Sequence, residues 1–480
     1  MLGRSTKVDR YNVNSIALWW LRRDFRLLDN PALVDARAAA PTVFAVFCLE
    51  ELNRLNARQR AFAVGCLEQL RAELGRRDAS LSVLGGDEAE ALTLACARLG
   101  ASAVYTARAY ASVEQAAVDR VDAALARSGR ELVRSRGDCV HEPESVAQQK
   151  RESAGGYRVF PPFYEAWRRM DVTAPLAASA PNGRDPTPGP LPDEPEVFDP
   201  KPGEAAALMH LGRFLTARAA SYAFMGAYPA SDGTSKLSSY IRFGCISPRT
   251  LCAALQDRMA KSWTLAQERD SMRLFLRRLA LRDFFTHLAH FAPELHDAPL
   301  QEKMRGFPWS SDARLAEAWS EGKTGYPLID AAMRQLKTSG YVHQRAARCA
   351  ASFCCFDLGL DWRIGRDVWM RELLAADDAL ADGNWQWIAG VGSDQAAYPR
   401  IFNPIKQALL IDPQGVYVRR WVRELAKLPT RAALEPWQLS RQQQTELKFY
   451  TPEQYPPQIV DHAEVARDML AKFREFRNRS

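Results

Sequence analysis

The chain has 480 residues, with 64 Lys+Arg, 57 Asp+Glu and 7 His, for a formal net charge of +7. Apolar types make up 47% and charged types 25%, which excludes a disordered chain and fits a folded protein of two or three domains. No apolar run approaches the roughly 20 residues of a membrane span, so no membrane partner is expected. The first 14 residues are polar and lack a signal-peptide core, so a cytoplasmic location is expected.

In chain order, short apolar runs at Ser15–Leu21, Thr42–Leu49, Leu81–Leu84 and Ser102–Tyr105 predict strands. Helical patterns at Ala57–Leu74, Glu88–Leu99 and Val113–Ala126 lie between them. Strand–helix alternation predicts an α/β domain over 13–140, a doubly wound parallel sheet. No Gly-x-Gly-x-x-Gly follows the first strand, so a dinucleotide fingerprint is absent there. Residues 141–203 are read as an inter-domain connection. Its second half, Asp171–Gly203, is rich in Pro, Gly and Ala without apolar period. From 204 to 480 helical periodicity dominates and predicts an all-α domain. The basic tail Lys472–Arg479 reads as a solvated last helix. The nine Cys form no Cys-x-x-Cys pair and read as reduced core residues, neither disulfides nor a zinc site.

Chemistry concentrates in the second half, where nine of the 12 Trp lie from Trp263 onward. Asp232–Arg249 packs Thr234, Ser235, Ser238 and Ser239 into the approach to a helix, a pattern that suits phosphate oxygens, although ordinary helix capping by Ser and Thr is the commoner use of it. Trp319–Phe353 and Leu360–Asp394 are dense in Trp, Tyr, Arg and His, and Ala396–Gln407 follows. Many buried indoles need partners for their N–H groups. His287, His290 and His296 lack an accompanying carboxylate or Cys ligand pattern, so no metal is expected. Glu114, after an aromatic-rich run, reads either as part of an antenna site or as a solvated helix start.

These runs, in this order, resemble the photolyase/cryptochrome flavoproteins. WWLRRDFRLLDNPAL (Trp19–Leu33) is similar to their N-terminal signature, and EGKTGYPLIDAAMRQL, LDWR, GNWQW and RIFNP are similar to their FAD-binding region. The resemblance runs from about Ile16 to Trp437 and implies an α/β antenna domain, a long linker and a helical FAD domain. It implies a U-shaped FAD held by Tyr222, Thr234, Ser235, Lys236, Leu237, Ser238, Arg282, Gln344, Asp377 and Ala381. Asp377 is expected as an ion-paired carboxylate or as a helix cap. The resemblance also implies electron transfer through Trp385, Trp362 and Trp309, the last at a solvent-facing terminus. A second, antenna chromophore of folate or deazaflavin type is an open expectation.

The positions matching the lesion pocket depart from the family. They read Arg278, Leu281, Gln344, Arg345, Arg348 and Trp387, where dimer-repair enzymes have Glu, Trp, Asn, Arg, Met and Trp. The Arg–Asp pair flanking the flavin reads Ala347 and Ala375, and the residue facing flavin N5 reads Ala381. The expected function is therefore a light-driven FAD flavoprotein, cryptochrome-like or a divergent DNA photolyase. The alternative is a conventional lyase repairing UV-induced pyrimidine dimers. DNA or a signalling protein is the partner each alternative implies.

Overall fold

The computed structural model describes residues 15–150, 155–197, 199–231, 233–393 and 399–479. Residues 13–14 of the expected first domain, Asp232 of the hydroxyl-rich run, and Asp394 and Ala396–Tyr398 of the later motifs lie outside the described residues.

Five strands form one parallel sheet: β1 (Ile16–Leu21), β2 (Thr42–Cys48), β3 (Leu81–Leu84), β4 (Ala103–Ala107) and β5 (Glu131–Ser135), in the order β3-β2-β1-β4-β5. The central strand IALWWL is apolar throughout because helices cover both faces. Its side chains alternate: Trp19 and Leu21 enter the larger core, and Leu18 and Trp20 enter a smaller one on the opposite face. Among the elements that the sequence does not predict are a fifth strand and a helix after the first strand. β5 reads ELVRS, an edge strand whose charges hide its alternation. The nine-residue helix Pro31–Ala39 is too short for a clear period, and it starts because Asn30 caps Leu33 N–H at 3.1 Å with proline at the first turn.

The larger core does not stop at the sheet. Phe25, Phe47 and Phe62 pack with Tyr240, Phe243 and Phe284 of the helical half in one apolar cluster. Between the halves, residues 141–170 form the helices Pro143–Ala147 and Phe160–Trp167. Trp167 Nε1 donates to Asp283 (2.9 Å) on the 26-residue helix Ala266–Phe291. Residues 171–203 contain no helix or strand among the described residues. They are strapped to the α/β half by backbone bonds, Gly183 N to Val43 O (2.8 Å) and Ser179 N to Leu27 O (3.2 Å) among them. Arg98 grips Asp185 with two nitrogens at 2.6 and 2.7 Å.

The tail departs from its expectation. Helix His462–Arg479 has a buried face: Phe473 is 1% exposed, and Phe307 meets Phe473 in a tilted contact at 4.5 Å and Phe476 edge-on at 5.3 Å. Phenylalanines spaced along a basic helix supplied the apolar stripe that the charges obscured. All nine cysteines are unpaired and buried, and Cys66 and Cys245 meet across the two halves at 3.5 Å.

The loop following β1, Arg22–Asn30, is the joint between halves. Phe25 N donates to Phe243 O (3.3 Å) and Arg26 Nη1 to Gly244 O (2.9 Å). Asp29 and Arg249, 0% and 2% exposed, pair at 2.9 Å, and Ser247 donates to the same carboxylate. Gly244 has φ +62°, and a Cβ there would stand 1.8 Å from the Arg23 carbonyl oxygen. Gly244→Ala is expected to cost about 3 kcal/mol or more, from strain plus a backbone clash, read as a large fall in the urea midpoint. Asp29→Ala is expected to cost about 3–5 kcal/mol in the same measurement, because it leaves Arg249 buried and unpaired.

Candidate functional site

The helical half encloses two adjoining chambers. The first, about 370 Å³, is walled by Thr234–Ser238, by Gln344, Ala347, Arg348 and Ala351 of the helix Gln344–Ser352, and by Trp369 of the helix Trp362–Glu372. Its remaining wall comes from Ala375, Ala376, Asp377, Leu380, Ala381, Trp385 and Trp387 in and before the helix Asp378–Ile388. The second, about 720 Å³, is lined by His210, Arg213, Arg218, Ser239 and His343, and shares Lys236, Ser238, Tyr341, Leu373 and Ala375 with the first. One chamber is thus alanine- and indole-walled, and the other is basic and hydroxyl-bearing. Together they suit a bent ligand with a flat apolar ring at one end and anionic groups at the other.

The walls hold donors that the protein does not satisfy. Thr234 Oγ1, Trp369 Nε1 and Trp385 Nε1 are buried without a hydrogen-bond partner. Buried polar atoms normally have one, so these residues fit a ligand carrying acceptors. Lys236 takes positive φ (58°) and lays its ammonium 4.2 Å from the Tyr341 ring centroid, a conformation that turns the hydroxyl run along the cavity.

Asp377 is both of the things its sequence position allowed. It caps its helix, accepting from Leu380 N at 3.1 Å, and it is ion-paired with Arg23, which arrives from the joint loop. Arg23 also binds Glu114 at 2.7 Å. Burial alone would push the Asp377 carboxyl up, but Arg23, Arg242 and Arg282 hold it well below the usual carboxylate range. Burial would likewise discharge Arg23, and Glu114, Asp377 and Asp138 reverse that. Glu114 is therefore not a solvated helix start. It is a partly buried member of a three-residue charge chain crossing the domain boundary. Asp377 also borders a third space, about 40 Å³, between the halves, lined by Arg22, Arg26, Arg108, Asp138 and Arg282.

Ten of the residues expected from sequence lie together on the first chamber: Thr234, Ser235, Lys236, Leu237, Ser238, Gln344, Asp377, Ala381, Trp385 and Trp387. Arg348 joins them, its guanidinium 4.5 Å from the Trp387 ring centroid. Tyr222 and Arg282 do not line that wall. Tyr222, on the short helix Tyr222–Met225, packs against Phe214 and Phe275 beside Arg278, and Arg282, on the long helix, turns to Asp138 at the joint. Arg278, Leu281 and Arg345 also lie off that wall. Leu281 packs against the larger core, and Arg345 is exposed. Trp362 is fully buried beneath Arg363 and Arg366. Trp309 is only half-buried, with Phe473 of the last helix 5.8 Å away, so its ring is partly covered where a solvent-facing end was expected.

Sequence reasoning missed Trp369 and Trp319, whose rings stand 4.8 and 6.1 Å from that of Trp385. A spacing of seven residues from Trp362 places Trp369 on nearly the same helix face, and that signal was available. The three histidines part company: His287 accepts from Tyr157 N, His290 meets Glu144 and His296 meets Asp382.

His343 caps the helix Gln344–Ser352, accepting from Arg345 N at 3.3 Å. Burial first, then Lys236 and Arg345, lowers it to about 4, so the fold holds it neutral. A base with a depressed folded pKa adds stability that is complete above about 6.5 and lost as pH falls through about 4. Asn can cap without titrating. His343→Asn is therefore expected to gain on the native chain by about 3 kcal/mol between pH 7 and 4, measured as the difference in urea stability at each pH.

Comparison with known proteins agrees with this architecture. Residues 17–182 match the family model for DNA photolyase, and residues 275–475 match the model for the FAD binding domain of DNA photolyase. The deoxyribodipyrimidine photo-lyase of Synechococcus sp. is 33% identical, with 85% of this chain and 88% of the relative covered. That of Escherichia coli is 31% identical, with 96% and 98% covered. A bacterial class III photolyase from Agrobacterium tumefaciens superposes with a TM-score of 0.85 at 29% identity, covering 99% of this chain and 100% of that one. A Synechocystis cryptochrome superposes with a TM-score of 0.85 at 26% identity, covering 96% and 99%. With the two-chamber cavity in its helical half and these relatives along nearly its whole length, the chain belongs to the photolyase/cryptochrome family of FAD-binding proteins.

Proposed function

We propose that the chain is a light-driven flavoprotein in which Trp385, Trp362 and Trp309 relay an electron between the cavity and the surface, in a cryptochrome-like or divergent-photolyase role. Bound FAD supplies absorption of blue light and an excited state able to take an electron. Thr234, Ser235, Lys236 and Ser238 would hold its phosphates, and the alanine-walled chamber its ring.

The observation that carries the reading is the seat of Trp385. Its ring lines the chamber and lies directly on the helix bearing Trp362, where a Cβ at Gly365 would stand 2.2 Å from Trp385 Cη2. Trp362 begins that helix one turn earlier, and Asp361 N donates to Ser310 O at 2.9 Å, beside Trp309. One ring-to-helix contact and one backbone hydrogen bond between segments thus join the elements that bear the three indoles, which supports the relay. The residues themselves do little chemistry. They exclude water from Trp362, and carboxylates at Asp361 and Asp382 answer the arginines that flank its ring.

Conventional repair of pyrimidine dimers is the second reading, favoured by the names of the curated relatives. Against it stand Arg278, which puts positive charge where a lesion edge needs an acceptor, Arg348, which puts a charge where an apolar Met is expected, and Leu281, which removes a stacking platform of roughly 1–3 kcal/mol per base. DNA is the partner under that reading. A signalling protein is the partner if flavin reduction shifts a surface.

Purified protein is expected to be yellow, with flavin absorption in the blue. Trp385→Phe is expected to retain FAD and lose at least about tenfold in the initial rate of photoreduction by an external donor, about 1.4 kcal/mol or more in barrier terms. Gly365→Ala is expected to slow it too by displacing the indole. Undiminished photoreduction in Trp385→Phe would sink the relay. An illuminated assay on dimer-containing single- and double-stranded DNA separates the roles, and efficient turnover there would support repair instead.

A further inference from the structure

Trp362 sits in surroundings unlike those of the other two indoles of the relay. Trp385 meets rings, Trp369 at 4.8 Å and Trp319 at 6.1 Å, and Trp309 meets Phe307 at 4.6 Å and Phe473 at 5.8 Å. Trp362 meets cations. The guanidinium carbon of Arg363 is 4.8 Å from its ring centroid, and that of Arg366 is 5.3 Å away. Sequence spacing places one of them: Arg366 is four residues on in the helix Trp362–Glu372, and side chains at that interval share a face. Both guanidiniums are tethered. Arg366 donates from Nη1 to the His296 carbonyl (2.7 Å) and to Asp382 (3.0 Å), and from Nε to Asp367 (2.9 Å). Arg363 donates from Nη1 to Asp361 and from Nη2 to the Asp297 carbonyl, each at 2.9 Å. Burial alone would discharge Arg366, and Asp382 and Asp367 reverse that, so its charge is kept.

A cation beside an indole face is attracted by the electrons of the ring. The attraction turns to repulsion once the ring has lost an electron, and two unit charges about 5 Å apart repel strongly even in a screened interior. Nor can the ring shed its charge as a proton. Trp362 is 0% exposed, and its Nε1 is buried without a hydrogen-bond partner. Trp309 is half-buried and within reach of water. A positive hole is therefore unwelcome at the middle indole and can be discharged at the outer one.

We propose that Arg363 and Arg366 are positioning residues of the relay: their cations make Trp362 a ring that the hole crosses and does not occupy, so that it settles on Trp309. This rests on the light-driven relay proposed above. One electron leaves Trp309, passes inward over Trp362 and Trp385 and ends on the cofactor. Trp309 is the group oxidised, and its N–H proton goes to water. No bond between heavy atoms forms or breaks. Asp382 acts at one remove, by fixing Arg366 where its charge bears on the ring.

The test is flash absorption on the full-length, FAD-loaded protein without an added donor. Protonated and deprotonated indole radicals absorb at different wavelengths, so conversion of one to the other reports the hole reaching Trp309 and its proton leaving. In Arg366→Met that conversion is expected to slow by at least about tenfold, because the hole is then shared with a ring that has no proton acceptor. Arg366→Lys keeps the charge and is expected to restore conversion towards the native rate, which a role in packing alone would not do. Should Arg366→Met fail to fold, Arg363→Met, at a side chain 34% exposed, is read in the same way. Native conversion in the Met variant, or conversion as slow in Arg366→Lys as in Arg366→Met, overturns the proposal. Trp362→Phe separates it from the relay itself, and is expected to retain flavin absorption and to give almost no deprotonated radical. A native radical yield in Trp362→Phe would remove the relay and this inference with it. Loss of the radical there, with native conversion in Arg366→Met, would remove this inference alone.

Discussion

The structure turns on Arg23. Its guanidinium leaves the α/β half, enters the helical half and pairs with Asp377 while keeping hold of Glu114. Three charges are taken out of water together, which is tolerable only because each is answered. Everything around them serves that arrangement. Gly244 gives way to the Arg23 carbonyl, Arg26 bonds the Gly244 carbonyl, and Asp29 neutralises Arg249. The apolar cluster passing from Phe47 through Phe243 to Phe284 supplies the burial, and the paired charges fix the register at which the halves meet. Asp377 heads the helix that carries Ala381, Trp385 and Trp387, so the same ion pair sets the position of one wall of the cavity.

That cavity is built by small side chains placed against large ones. Gly365 lets the Trp385 ring rest on a neighbouring helix, and Gly383 likewise admits Phe285. Ala347, Ala375 and Ala381 leave open a space that bulkier residues would fill. The joint absence of a charged pair at 347 and 375 costs the interior no unmatched ion, since neither partner remains to be stranded. Positive charge reappears one residue later at Arg348, nearer the mouth, which shifts the polarity of the site outward from the cofactor chamber towards its opening.

Much of this was legible in the chain. Apolar runs and helical periods found four of the five strands and the helices over 57–76, 88–99 and 112–127 to within two residues, because burial on both faces writes a plain pattern. β5 escaped because an edge strand tolerates Glu131 and Arg134. The last helix was misread as solvated because its Phe473 and Phe476 sit among basic residues, and a stripe that narrow shows only once its partner, Phe307, is known. In the site, the hydroxyl run, Asp377 and Trp385 were recognisable from contiguous motifs. Glu114 was not, since its partner is 91 positions away.

The sequence by itself determined the class of fold, the cofactor family and the identity of the residues that had changed in the lesion pocket, because each is carried by local pattern or short motif. Only the tertiary structure decided which of those residues share a wall. It placed Tyr222 and Arg282 off the first chamber, joined Trp369 to Trp385, and set Arg348 near other arginines. The reason is physical: periodicity reports which side of an element is buried, whereas charge pairing, ring contact and cavity shape depend on atoms distant in the chain that only packing brings together.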